Sequence, residues 1–268
     1  MTSMSFIQVA NRQVYYNAPY GLPSVGDRMI LLVHGAGGSS RHWEPLLAQI
    51  NATEGLFPVA IDLPGHGSSQ GSVPDTIDAV AAFVNAFLDC LKIEQPICYV
   101  GQSMGGLIGL QFALDYPDRV AQLVLMATSA RIQLHPDFLQ QAITGQWNRD
   151  TLRQSFAPEV PENLQELVLN EFQHTRLNAN AADFMGVSGV DLSSAVSALR
   201  LPTLIITGDD DVIISPRKSK MLHRQIENSR LVTIPGAGHY LHVEQPAKVA
   251  SEILHFVNSD RSVSAAQL

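Results

Sequence analysis

The sequence predicts a protein of the α/β class, in which helices cover both faces of a parallel sheet. Two observations support this prediction. Short apolar runs alternate with longer segments along most of the chain, and apolar residues recur at three- and four-residue spacing in the longer segments, as in helices that bury one face. Strands that are apolar throughout are typical of a parallel sheet, because both of its faces are covered.

The predicted elements begin with a hairpin formed by two alternating runs, residues 5–10 and 13–16. Six buried parallel strands follow, at residues 29–33, 57–61, 97–100, 120–126, 203–207 and 231–234. Helices are predicted between and after these strands, at residues 42–50, 76–91, 104–116, 216–226 and 243–257.

The alternation is interrupted once, between residues 130 and 199, where helical patterns occur without a convincing strand. Within residues 161–177, four apolar side chains fall on one helical face: Leu164, Leu167, Val168 and Phe172. We therefore expect a core formed by residues 1–130 and 200–260 and a helical cap at residues 131–199. The tail, residues 261–268, is expected to be disordered.

The composition argues against several functions. Of 268 residues, 46% are hydrophobic, which is ample for a buried core. Lys and Arg number 17 against 25 Asp and Glu, a net charge of −8, and no basic cluster is present, so nucleic-acid binding is not expected. The longest uncharged run, residues 95–114, contains a proline and glycines that suit a membrane span poorly.

The N-terminal residues and the two cysteines bear on the cellular compartment that the sequence predicts. The first eleven residues show no basic stretch followed by an apolar core, so no secretory signal is visible. Cys90 and Cys98 form neither a metal-ligand spacing nor a disulfide framework. We expect a cytoplasmic protein without a membrane anchor.

The first candidate catalytic residue is Ser103, in the sequence Gly101-Gln102-Ser103-Met104-Gly105. A G-x-S-x-G pattern between a strand and a helix is typical of a nucleophile elbow, a turn so tight that only glycine fits on both sides of the serine. A serine hydroxyl is nearly inert near neutral pH, so it needs a base within hydrogen-bond reach, and a third group must orient that base.

The candidate base is His239, which follows the last predicted strand and precedes the last helix. Loops at this end of a parallel sheet meet above the carboxyl ends of the strands. His242 is the alternative, although its position at the start of the helix favours packing.

The candidate acid comes from three adjacent aspartates that follow the strand at residues 203–207. We prefer Asp211, because a carboxylate three residues beyond Gly208 can turn back toward the sheet; Asp209 and Asp210 stay open as alternatives. The resulting chain order is serine, aspartate, histidine.

With these residues in this order, nearly the whole chain resembles the α/β-hydrolase family, and in particular its carboxylesterase-like serine hydrolases with a helical cap. The resemblance implies a mostly parallel, doubly wound eight-stranded sheet with the cap inserted after strand 6. The segment His34-Gly35-Ala36-Gly37-Gly38 resembles the family's H-G-x-x-G oxyanion loop. This implies an oxyanion hole formed by the backbone N–H groups of Ala36 and Met104.

A further segment, residues 62–69, resembles the family's D-x-P-G-x-G-x-S sequence. We interpret it as scaffolding, in which Pro64 and Gly65 set the turn and Asp62 accepts hydrogen bonds from backbone donors. A place for His66 in the substrate pocket is the alternative interpretation.

The substrate pocket is the least defined part of the prediction. Candidates are His34, Gly35 and apolar cap residues that are equally compatible with a core: Phe138, Trp147, Phe156, Phe172, Phe184 and Met185. The sequence contains no cluster of Lys or Arg residues that would indicate an anionic substrate.

The resemblance implies hydrolysis of a small-molecule ester through an acyl-enzyme, with no metal or organic cofactor. An aspartate nucleophile is typical of the haloalkane dehalogenases and epoxide hydrolases of this fold, so Ser103 argues against both. Carbon–carbon bond hydrolases, lactonases, thioesterases and perhydrolases keep the serine and stay open. A small-molecule receptor of the same fold is the alternative from another class. Natural substrate, acyl length, stereochemical preference and oligomeric state are not predicted.

Overall fold

The computed structural model describes residues 5–50 and 55–264, and an eight-stranded sheet forms its centre. The strands are β1 (Ser5–Val9), β2 (Arg12–Asn17), β3 (Arg28–Val33), β4 (Leu56–Ile61), β5 (Ile97–Gln102), β6 (Val120–Met126), β7 (Thr203–Gly208) and β8 (Ser229–Ile234). Their order in the sheet is β1-β2-β4-β3-β5-β6-β7-β8. β2 pairs antiparallel with β1 and β4, and all other pairs are parallel, which confirms the predicted mostly parallel sheet.

Both faces of the sheet are buried, as the apolar strands predict. In β3, Met29, Leu31 and Val33 belong to one apolar cluster, while Ile30 and Leu32 belong to the cluster on the opposite face. This division follows from the period of two in a strand, in which successive side chains point to opposite faces.

Ten α-helices occur in the described residues. They are α1 (Glu44–Leu47), α2 (Ile77–Cys90), α3 (Met104–Asp115), α4 (Pro136–Thr144), α5 (Arg149–Arg153), α6 (Glu162–His174), α7 (Leu177–Ser188), α8 (Pro216–Gln225), α9 (Leu241–Glu244) and α10 (Pro246–Ser264). Apolar residues of α2, α3 and α8 join the cluster on one face of the sheet, and those of α1, α9 and α10 join the other. The sheet is therefore doubly wound.

Two predicted helices differ from the structure. The segment predicted as a helix at residues 42–50 consists of a 3₁₀ turn, Ser40–Trp43, and the short α1. The helix predicted at residues 243–257 is divided at Gln245, because Pro246 disfavours helical backbone in the residue before it and is itself well placed to start α10. α10 continues to Ser264, so residues 261–264 of the expected tail are helical; residues 265–268 lie outside the described residues.

Between β6 and β7, residues 127–202 form what we call the inserted segment, which contains α4, α5, α6 and α7. Apolar residues from all four helices form a third cluster, which also contains Tyr240 and Val243 from beyond β8. The inserted segment therefore packs against the chain that leaves the last strand, at the carboxyl end of the sheet.

Two further observations concern the cysteines and the length of the helices. Cys90 is exposed, Cys98 is buried, and both are free thiols. Among the described residues, no helix combines the length and apolar character needed to cross a bilayer.

Candidate active site

Ser103 lies at the turn that joins β5 to α3, with a backbone φ of 53°. This conformation is strained for a residue with a side chain, and such strain is found where surrounding structure enforces it. Here the surroundings are crowded: a Cβ atom on Gly101 would lie 2.2 Å from the Gly105 carbonyl oxygen, and one on Gly105 would lie 2.2 Å from the Val33 carbonyl oxygen. The glycines thus allow β3, β5 and α3 to meet at the elbow.

The side chains of His239 and Asp211 form a buried hydrogen-bonded pair. His239 Nδ1 lies 3.0 Å from Asp211 Oδ2, and both residues are almost fully buried. The other carboxylate oxygen, Oδ1, accepts hydrogen bonds from the N–H groups of Ile213 and Ile214 at 2.8 and 2.9 Å. Because a carboxylate accepts at Nδ1, that nitrogen carries the proton and Nε2 of His239 is left as the basic atom.

The three neighbouring aspartates differ in burial and in hydrogen-bond partners. Asp209 and Asp210 are exposed, and the Asp209 carboxylate accepts a hydrogen bond from the N–H of Gly236. Asp211 is therefore the aspartate that contacts His239, while Asp209 fixes the neighbouring loop.

One cavity brings Ser103 and His239 together. Its lining comes from the ends of the strands and from the inserted segment: Ala36, Gln102, Ser103, Met104, Ile132, Leu134, Phe138, Thr151, Leu152, Ser155, Phe172, Phe184, Val187, Ile213, His239 and Tyr240. Within the described residues, the Ser103 hydroxyl makes no hydrogen bond to the His239 ring. Such bonds often tighten only when substrate is bound.

Ala36 and Met104 line the same cavity. Met104 is the first residue of α3, and the first N–H groups of a helix have no partner inside it. In the loop after β3, the N–H of Gly37 donates to Asp183 and that of Gly38 donates to the Gly35 carbonyl. In the described residues, neither the N–H of Ala36 nor that of Met104 donates to a turn, loop or side-chain acceptor, and their role as an oxyanion hole stays a prediction.

Of the apolar pocket residues expected from the sequence, some line the cavity and others lie outside it. Phe138 lines the cavity. Trp147 packs behind it, against the ring of Phe138, while Phe156 packs on Tyr240 and faces a different surface groove. Met185 is 58% exposed, on the outer side of α7. Phe156 and Met185 lie outside the cavity because their chain neighbours Ser155 and Phe184 face it. Trp147 lies outside it because it packs against the rings that do line it, Phe138, Phe172 and Phe184.

His34 and Gly35 also lie outside the cavity lining. His34 Nδ1 contacts the Gly35 carbonyl at 2.8 Å, and its Nε2 accepts from the N–H of Leu63 at 3.1 Å. Burial and the nearby His66 hold the pKa of His34 well below its ordinary value, so the ring is neutral. It ties the loop after β3 to the turn after β4.

Several lining residues were not predicted from the sequence. The most informative are Ile132 and Leu134, which precede α4, Leu152 in α5, Val187 in α7 and Ile213 beside Asp211. An apolar helical face signals burial without saying whether it meets a core or a cavity. Two further cap candidates from the sequence, Phe172 and Phe184, line the cavity.

His242 and Asp62 have structural contacts. His242 is buried with its ring 4.4 Å from that of Trp43, and burial holds its pKa well below the usual range. Asp62 accepts hydrogen bonds from the N–H groups of Ser40 and Ser68 at 2.7 and 2.8 Å. The interpretation of Asp62 as an acceptor for backbone donors is confirmed.

His66 joins the turn after β4 to α7. Its Nε2 lies 2.8 Å from Asp183 Oδ2, the oxygen that also accepts from the N–H of Gly37. Burial opposes protonation of the ring, but the Asp183 carboxylate, the Pro64 carbonyl and Asp62 together outweigh it and raise the pKa of His66 above the ordinary value of 6.5. His66 is thus a buried partner of Asp183, and it lies outside the cavity lining.

No group of three or more His, Cys, Asp or Glu side chains in the described part of the chain is arranged to hold a metal ion. The polar groups at the cavity include the Ser103 hydroxyl and the His239 imidazole, which pairs with the Asp211 carboxylate.

Fold and site together define a class of protein. A family model described as the alpha/beta hydrolase family matches residues 30–252, and the chain belongs to this family.

Individual relatives are similar over most of the chain. The pimeloyl-[acyl-carrier protein] methyl ester esterase of Neisseria meningitidis serogroup C is 28% identical over 229 residues, 79% of this chain and 86% of the relative. Human monoacylglycerol lipase ABHD6 is 26% identical over 257 residues, 86% of this chain and 75% of the relative. Both names describe enzymes that hydrolyse ester bonds.

Among solved structures, the enol-lactonase from Burkholderia xenovorans LB400 superposes with a TM-score of 0.86. The two chains are 23% identical, and the match covers 95% of this chain and all of the other (100%). At this level of identity the likeness shows the shared fold.

Proposed function

We propose that this protein is a serine hydrolase that cleaves carboxylic esters of small to medium acyl chains. The observation that carries the proposal is the buried His239–Asp211 pair, which opens on the same cavity as Ser103 at its strained elbow. Similarity to proteins named as esterases and lipases supports an ester as the substrate.

In this mechanism, His239 Nε2 takes the proton from Ser103 Oγ as the oxygen attacks the ester carbonyl. Asp211 holds Nδ1–H and stabilises the imidazolium that forms. The N–H groups of Ala36 and Met104 receive the oxyanion; losing one such donor typically costs about 10² to 10³ in rate. His239 then gives its proton to the departing alcohol, and a water activated by the same ring hydrolyses the acyl-enzyme.

The inserted segment acts as the cap in this proposal. Helices α4, α5, α6 and α7 all contribute apolar side chains to the cavity wall. Among the described residues that line it, His239 is the one basic side chain, and none is Asp or Glu. An uncharged acyl or alkyl group fits such a wall, since a buried charge without a partner is costly. The division into core and cap and the cytoplasmic location remain predictions.

The proposal is tested by turnover of p-nitrophenyl esters, from acetate to laurate, by the wild type and Ser103→Ala. We expect many turnovers by the wild type and a loss on the order of 10⁶-fold in kcat for the variant, with an unchanged melting temperature.

Three other results would contradict the proposal. Full activity in Ser103→Ala would exclude Ser103 as the nucleophile. A parallel panel of lactones, thioesters and vinylogous diketones that was turned over far faster than the esters would assign another bond. Thermal stabilisation by small ligands with a single slow turnover would indicate a receptor.

A further inference from the structure

The loop that carries His239, residues 236–240, is held by a buried carboxylate that the proposed mechanism does not use. This carboxylate belongs to Glu244, which is 8% exposed and lies at the end of α9. Its Oε2 accepts hydrogen bonds from the N–H groups of Gly238 at 2.7 Å and Ala157 at 3.0 Å. Its Oε1 accepts from the N–H of Tyr240 at 3.0 Å.

These bonds fix the backbone on both sides of His239. Gly238 and Tyr240 are its two chain neighbours, and one carboxylate accepts from both. The N–H of His239 itself donates to the Ser155 carbonyl at 2.7 Å, and its carbonyl accepts from Gln102 Nε2 at 3.1 Å. The backbone that carries the imidazole is therefore held by a network of hydrogen bonds. This network includes Gln102, which is next to Ser103 in the chain.

The same network ties the His239 loop to the inserted segment. Ala157 and Ser155 both belong to the connection between α5 and α6. A Cβ atom on Gly238 would lie 2.6 Å from the Ser155 carbonyl oxygen and 2.7 Å from the Ala157 nitrogen. The two stretches of backbone thus approach more closely at Gly238 than a side chain would allow.

A buried carboxylate is costly unless hydrogen bonds compensate it, and the three N–H donors supply those bonds. Burial raises the pKa of Glu244, while the three N–H groups and His239 act in the opposite direction. The three donors, in Ala157, Gly238 and Tyr240, converge on one side chain. Removal of the Glu244 carboxylate would therefore free the backbone on both sides of His239 and also break its link to the inserted segment.

We propose that Glu244 is a positioning residue for His239, and that it holds the general base in place against the inserted segment. The inference rests on the proposed ester hydrolysis. Small displacements of a catalytic group matter, because a misplacement of about 1 Å can cost about 10² in rate.

The test is Glu244→Gln, which keeps the shape of the side chain but replaces one acceptor oxygen with an NH₂ group that cannot accept from an N–H. We expect kcat to fall by about 10²-fold with KM within about twofold, because the substrate contacts the cavity wall and not Glu244. The downfield NMR resonance of the proton shared by His239 and Asp211 should shift or broaden. The matched control is Glu252→Gln, on α10, whose side chain pairs with Arg230 at the surface; it should behave as the wild type.

A second variant covers the case in which Glu244→Gln does not fold. Gly238→Ala leaves the carboxylate unchanged but forces the backbone of residues 155–157 and the His239 loop apart, so we expect a similar loss of kcat and a change in the NMR resonance. Because the inserted segment also lines the cavity, KM is expected to change in this variant. A lower melting temperature with unchanged kcat and an unchanged NMR resonance, in either variant, would overturn the proposal and leave Glu244 a purely structural residue. If the wild type turned over no ester, the proposed function would fail, while the NMR readout would still test Glu244.

Discussion

The three aspartates after β7 show how one position is selected from three similar ones. Asp211 is 3% exposed and contacts His239, whereas Asp209 and Asp210 face solvent. The N–H groups of Ile213 and Ile214 satisfy its second oxygen, so the carboxylate is fixed before any substrate arrives.

We expect Asp211→Asn to lower kcat by about 10⁴-fold, since an amide can turn its NH₂ toward Nδ1 and favour the tautomer with the proton on Nε2. Asp210→Asn, one residue away, should stay within about twofold of the wild type in kcat. Steady-state kinetics on one ester measures both. Equal losses in the two variants, or a larger loss for Asp210→Asn, would count against the assignment of Asp211.

The buried pair of His66 and Asp183 gives a second test, in which stability is measured. The folded-state pKa of His66 is raised above its ordinary value of 6.5. Its protonation therefore stabilises the folded state fully below about pH 6.5, and this contribution is lost as the pH rises through the raised pKa.

For His66→Gln, which cannot be protonated, we expect the free energy of unfolding to fall by about 1.5–3 kcal/mol at the acid end of this window. The difference from the wild type should become smaller with increasing pH. Urea unfolding of both proteins at a series of pH values measures this trend. A difference that grows with increasing pH would contradict the raised pKa of His66.

Helix α7 presents neighbouring residues to two environments. Phe184 lines the cavity and is 6% exposed, while Met185 is 58% exposed. The ring of Phe184 lies 5.2 Å from that of Phe138 between ring centres, so the two aromatic side chains together limit the space in the cavity that Ser103 and His239 line.

We expect Phe184→Ala to favour longer acyl chains, raising the ratio of kcat/KM for laurate over acetate esters by about tenfold, because a wider cavity binds more methylene groups. Met185→Ala is the matched control and should leave the ratio unchanged. The same p-nitrophenyl ester series measures both variants. An equal shift in Met185→Ala, or no shift in Phe184→Ala, would show that the Phe184 ring does not bound the acyl site.

The elements that could be predicted from the sequence are those specified by local patterns. The apolar run of β5, the Gly101–Gly105 turn and the amphipathic α2 each have a local signature, and the structure contains them within one or two residues. The division of the last helix at Pro246 was missed because an amphipathic pattern continues across it. Here the local preference of one proline decides the geometry.

Contacts between distant segments could not be predicted in the same way. Helical spacing places Phe184 and Met185 on different faces but does not say which face meets a cavity. Glu244 has no motif that marks it, because Ala157, one of its donors, is 87 residues away in the sequence. Such residues become visible only when the packing of the inserted segment is known.

The whole molecule brings together four segments that are far apart in the chain. Ala36 follows β3, Ser103 follows β5, Asp211 follows β7 and His239 follows β8. Parallel strands place their carboxyl ends at one edge of the sheet, so the loops that carry these residues meet there. The central claim is that this convergence activates one serine hydroxyl as a nucleophile.

Labelling with a fluorophosphonate, followed by mass-spectrometric mapping of the modified peptide, tests this claim most directly. The account predicts a single adduct on Ser103 of the wild type, formed much more slowly in His239→Ala and not at all in Ser103→Ala. Unlabelled wild-type protein, an adduct on another residue, or equally fast labelling of Ser103 without the imidazole would contradict it.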